Sequence, residues 1–120
     1  MNLISNLKSL TLVFSLVLTG SCLSAGSTKF FYNGTKLYNL CRSEDPIDEA
    51  VCEGYIVGVQ DAIYSGHLSD HFNLCLAEGV EPDQLRLQLL NFIETNPNIM
   101  NFAAEGLVAK SLETTYACEN

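Results

Sequence analysis

The chain is short of positive charge: six Lys and Arg stand against fourteen Asp and Glu, for a formal net charge of −8. Nucleic acid and anionic membrane surfaces are poor partners for such a protein, because both attract clustered cations. A basic protein partner is the natural complement, although acidity also serves solubility alone. No two of the five cysteines form a CxxC pair, which argues against a zinc site. No serine lies in a nucleophile-elbow pattern, and no Gly-rich phosphate loop or paired-carboxylate motif stands out. An enzyme is therefore the least expected class, and no cofactor or metal is called for. Internal repeats, low-complexity tracts and convincing strand alternation are also missing, so one all-α domain is expected.

What is present begins with an apolar run. Lys8 precedes residues 10–18, which are almost uninterrupted in Leu, Val, Phe, Ser and Thr before small residues begin. The run falls short of the roughly 20 apolar residues needed to span a bilayer and has the shape of a signal peptide. Cleavage after Ala25, with Leu23 at the minus-three position, makes 1–25 the signal and 26–120 the mature domain. Removal of Lys8 leaves five basic residues against fourteen acidic ones. Cys22 leaves too, so the mature chain keeps an even set, Cys41, Cys52, Cys75 and Cys118, suited to an oxidising compartment such as the periplasm. The rival is a lipoprotein acylated on Cys22, but Thr19, Gly20 and Ser21 lack the large aliphatic residue expected there.

A mature chain of roughly 95 residues buries one modest core, for which covalent staples are useful. The three-four spacing of apolar residues predicts four helices. Asn33-Gly34-Thr35 is expected as a turn ahead of a first helix over about 35–41, carrying Leu37, Leu40 and Cys41. Asp45 and Pro46 open a second helix to about residue 65, since Asp accepts free amides and proline suits the first position. Its expected buried stripe is Ile47, Val51, Tyr55, Val59 and Ile63, flanked by Cys52, Ile56 and Ala62. Gly66 ends it, and 66–80 is the longest irregular stretch. A third helix starts at Glu81-Pro82, buries Leu85, Leu89, Phe92 and Ile93, and stops near Thr95 before Pro97. The fourth is expected to start at Asn96-Pro97, present Met100, Ala103, Ala104, Leu107, Val108 and Leu112, and end near Tyr116.

Antiparallel packing of the third and fourth helices returns Cys118 toward Cys75, and the short 42–51 connection folds Cys41 onto Cys52. Of three pairings, Cys41 with Cys52 and Cys75 with Cys118 is therefore expected, giving a small four-helix domain stapled by two disulfides.

The most distinctive segment is 52–62, in which Gly54, Gly58 and Asp61 share one helix face beside Ala62 and Ser65. Two glycines in a helix interior cost about 0.8–1 kcal/mol each relative to alanine, which suggests a backbone that another helix or a second subunit approaches closely. Asp61 is expected to be hydrogen-bonded on that face rather than catalytic, since no general-base partner is visible nearby. His67 and His71, with Asp70 between them, have a spacing that would suit a metal on a helix, but a solvated turn is the simpler expectation.

These residues carry a resemblance. Leu37 with Cys41, the run Cys52-x-Gly54-Tyr55-Ile56-x-Gly58-x-x-Asp61-Ala62, Cys75, Val80-x-Pro82 with Gln84, Pro97 and Cys118 together resemble the Rap/Tai immunity proteins of type VI secretion systems. Such proteins are small, exported, helical and often dimeric, and they bind and block peptidoglycan amidases of the NlpC/P60 type. The resemblance thus implies a non-enzymatic inhibitor, with a homodimer as a candidate assembly and no role for nucleic acid or, after signal cleavage, membrane. One departure is that 76–81 intervenes between Cys75 and Pro82, where similar proteins place a proline sooner. Inhibition by occlusion would put the contact on the 66–80 loop, at His67, Asp70, His71 and Phe72, with acidic support from Glu78. The alternative of another class is a periplasmic acid-stress chaperone, which would expose apolar surface as its carboxylates protonate.

Overall fold

Asn33 does more than turn the chain. In the computed structural model, which describes residues 30–68 and 72–119, its side-chain oxygen accepts from the Lys36 amide at 2.9 Å. It thereby caps helix α1, Gly34–Cys41, satisfying one of the free amides of the first turn. Helix α2, Pro46–Tyr64, opens the same way, with Asp45 Oδ1 accepting from the Ile47 amide at 2.7 Å. Helix α3, Pro82–Thr95, starts where the Glu81 amide donates to Gln84 Oε1 at 3.1 Å.

The fourth helix differs from expectation. Pro97–Ile99 forms a separate 3-10 turn, and α4 covers only Ala104–Tyr116. The cause is the chain entering α1: the Gly34 amide donates to the Phe102 carbonyl, the Thr35 amide to Met100, and the Ala104 amide to Tyr32. With Asn33 and Ala103 in an antiparallel bridge, the 100–103 backbone is committed to another segment and cannot continue a helical ladder.

The four helices enclose one core whose fully buried side chains include Leu37, Ile56, Leu85, Leu89, Ile93, Val108 and Leu112. Helix α2 packs against the other three. Its buried residues are Cys52, Ile56, Val59 and Ile63, so the stripe is rotated from the expected one. Ile47 is 73% exposed and Val51 38%. Cys52 sets this rotation, because its disulfide draws one side of the second turn of α2 onto the end of α1.

Both expected disulfides are formed, Cys41–Cys52 with Cα atoms 5.0 Å apart and Cys75–Cys118 at 4.9 Å. Their separations of 11 and 43 residues correspond in the chain-entropy account to about 3 and 4 kcal/mol. Arg86 adds a polar clasp: it donates to Glu53 at 3.2 Å, to the Cys41 carbonyl at 3.1 Å and to Glu49. A cation at the C-terminal end of α1 also opposes that helix's dipole, so one side chain joins three helices.

Candidate functional site

The 66–80 segment leaves α2 through a specific cap. Gly66, at φ 74°, adopts the left-handed conformation that costs glycine least. Its amide donates to the Ile63 carbonyl while the His67 amide donates to Ala62, the pair of bonds that closes a Schellman motif. His67 is thereby held against the end of the helix. The Ser65 hydroxyl donates to the Asp61 carbonyl at 2.8 Å, so its single proton is committed. His67 Nδ1 lies 2.7 Å from Ser65 Oγ, a contact that holds the ring against the helix end.

Further along, Leu74 is buried and forms an antiparallel bridge with Ala117. The Leu76 amide donates to the Tyr64 hydroxyl at 2.9 Å. Three of the five candidate contact residues lie among the described residues. His67 and Glu78 are exposed, whereas Phe72 is half-buried and packs against the core. Asp70 and His71 lie outside the described residues. Among the described residues, no group of three His, Cys, Asp or Glu side chains is gathered as metal ligands would be, and no helix is long and apolar enough to cross a membrane.

The glycine face is arranged otherwise than expected. Gly54 and Gly58 are exposed, and a Cβ on either would meet nothing within 4 Å. Among the described residues, no helix covers them. They line a shallow groove with Tyr55, Val59, Ala62, His67 and Leu68, and the face continues toward the helix start through Val51 and Ile47 at three- and four-residue steps. Asp61 is exposed on it, and no hydrogen bond to its carboxylate is formed among the described residues; only its carbonyl is used. Tyr55, at the inner edge, meets Tyr32 edge-on with ring centroids 5.3 Å apart. Burial first, and then the Glu105 charge and Tyr32, raise its phenol above the ordinary value, so it remains a neutral packing group at physiological pH.

Sequence reasoning placed Ile47 and Val51 in the core and so missed them as surface. The signal that could have found them is the composition of α2, whose apolar residues spread over more of its circumference than one core stripe needs. Such surplus apolar surface is a mark of burial, and among the described residues it is uncovered.

A stapled helical scaffold that presents an open, apolar helix face beside a capped loop belongs to the class of small binding proteins. The model of the Rap1a immunity proteins matches residues 33–118, and the chain belongs to that family. No curated protein and no solved structure matches it. Membership places it among immunity proteins, which work by binding a cognate effector, and its two disulfides suit an exported, oxidising setting.

Proposed function

We propose that the protein is a periplasmic immunity protein that binds and occludes the active site of an NlpC/P60-type peptidoglycan amidase delivered by type VI secretion. The observation that carries the proposal is the uncovered face of α2, where Gly54 and Gly58 leave the backbone open to close approach beside exposed Ile47, Val51 and His67. An amidase of this type keeps a cysteine thiolate and a histidine in an open groove. The α2 face supplies a flat apolar footing against the groove wall, and the 66–80 loop, with His67 at its base and Asp70, His71, Phe72 and Glu78 along it, fills the groove.

Charge favours an effector over a second copy on this face. Helix α2 contains four acidic residues and neither Lys nor Arg. Self-packing across the glycines would set Asp61 against apolar side chains or another carboxylate, which leaves a desolvated charge unpaired. An effector with a Lys or Arg opposite Asp61 meets it with an ion pair, and the acidity of the domain speeds the encounter.

The test is affinity capture at neutral pH with the oxidised domain, residues 26–120, and with a Gly58→Arg variant. Recovery of one NlpC/P60-type amidase in stoichiometric amount by the first and not by the second supports the proposal. An empty column at neutral pH that fills with many unfolded clients in acid refutes it.

A further inference from the structure

The two disulfides sit in opposite environments. Cys41 and Cys52 are both completely buried, within the seam where α1 meets α2. Cys75 is exposed and Cys118 half-buried, and both border a surface groove lined also by Tyr64, Phe72 and Asn73. Thiol–disulfide exchange requires an incoming thiolate to reach a sulfur, so access decides which bond exchanges. We propose that Cys75–Cys118 is a thiol-exchange site for an external dithiol reductant, and that its opening frees the 73–76 stretch from the end of α4 while Cys41–Cys52 holds α1 to α2.

The chemistry is a two-electron exchange. A thiolate of the reductant attacks Cys75 Sγ, forming a mixed disulfide and breaking the Cys75–Cys118 bond. Cys118 departs as a thiolate and takes a proton; Asn73 Oδ1, 3.3 Å from Cys118 Sγ, is placed to accept from the resulting S–H. The second thiolate of the reductant then attacks its own mixed-disulfide sulfur, freeing Cys75 as a thiol, and the dithiol ends as a disulfide.

The structural consequence is local. Beyond the covalent bond, the segment is tied to the end of α4 by two amide bonds, Cys75 to the Tyr116 carbonyl at 2.8 Å and Cys118 to the Asn73 carbonyl at 3.2 Å. Both join exposed or half-buried residues, where backbone bonds open readily once a crosslink is lost. The buried Leu74 side chain and the Leu76 amide's bond to the Tyr64 hydroxyl still tie the stretch to the core and to α2, so the change is confined to its contact with the end of α4. If 66–80 enters the partner's groove, the exchange regulates binding, a consequence that rests on the function proposed above.

The experiment treats the oxidised mature protein with graded dithiothreitol under native conditions, blocks free thiols with an alkylating reagent, and maps the labelled cysteines by mass spectrometry. Cys75 and Cys118 are expected to label together, at least about tenfold faster than Cys41 and Cys52, as accessibility governs exchange. Retained helical circular dichroism and new protease cleavage confined to 66–80 should accompany that labelling. Equal labelling rates, or earlier labelling of Cys41 and Cys52, would overturn the proposal. So would an uncleaved segment in the selectively reduced protein and in a Cys75→Ser, Cys118→Ser double variant. Capture of the amidase should weaken on selective reduction. Failure of capture by the oxidised protein as well would refute the immunity function and leave the exchange site to stand on its labelling pattern.

Discussion

Replacing Gly54 and Gly58 by alanine separates what holds the fold from what the fold is for. Both residues lie inside α2, and an added Cβ would meet nothing within 4 Å, so no clash opposes the gain in helix propensity. Each substitution should stabilise the isolated domain by about 0.8–1 kcal/mol. For a domain of this size that raises the melting temperature by roughly 4–8 °C per kcal/mol. The same methyl groups intrude wherever a partner approaches the backbone closely, and overpacking of that kind costs about 1–3 kcal/mol, equivalent to a roughly 5- to 150-fold weaker Kd. Thermal unfolding and calorimetric titration on one preparation read both numbers. Opposite signs are expected, a higher melting temperature with weaker binding. A lower melting temperature would show that α2 is covered within the monomer after all, and unchanged affinity would remove the glycine face from the contact.

Three further substitutions probe the frame. Gly34→Ala should destabilise by about 1–3 kcal/mol, because its Cβ would fall 2.5 Å from Leu107 Cδ1 and 2.8 Å from the Met100 carbonyl oxygen; urea unfolding reads the sign, which is the reverse of that at Gly58. Ser111→Ala should raise stability by roughly 1 kcal/mol, since the buried Ser111 hydroxyl has no hydrogen-bond partner among the described residues and its removal relieves that desolvation cost; a loss in melting temperature would contradict this. Arg86→Ala should cost about 1.5–3 kcal/mol by breaking charge-assisted bonds to Glu49, Glu53 and the Cys41 carbonyl, with the loss visible as a lower urea midpoint and both disulfides intact.

The helices were legible because their boundaries are written in local chemistry. Asp45-Pro46, Gly66 and Glu81-Pro82 each act through bonds to the nearest amides and carbonyls, and each fell where local rules put it. Disulfide pairing was legible for a related reason, since antiparallel helices with short connections leave few ways to bring four sulfurs together. The start of α4 was not, because Pro97 is a sound local start signal that is overridden by Tyr32, Asn33 and Gly34, some seventy positions away in the chain. The rotation of α2 failed for the opposite reason: with apolar residues on most sides, its sequence supports several stripes, and only the Cys41–Cys52 link and the neighbours it imposes select one. That ambiguity is itself informative, because the side left over is the proposed contact. Gly54 and Gly58 were expected to mark a face that another helix or a second subunit approaches closely, and among the described residues no element approaches it. Of the loop residues, His67 could be placed from the Schellman cap, whereas the inward packing of Phe72 depends on tertiary contacts that spacing alone does not reveal.

The most direct measurement is an inhibition titration, in which peptidoglycan cleavage by the captured NlpC/P60-type amidase is followed as the oxidised domain, residues 26–120, is added at neutral pH. Occlusion of the active site predicts a linear fall in activity that reaches zero at a fixed, small molar ratio, and a Gly58→Arg variant that leaves the enzyme running. Full activity in the presence of excess oxidised domain would contradict the account.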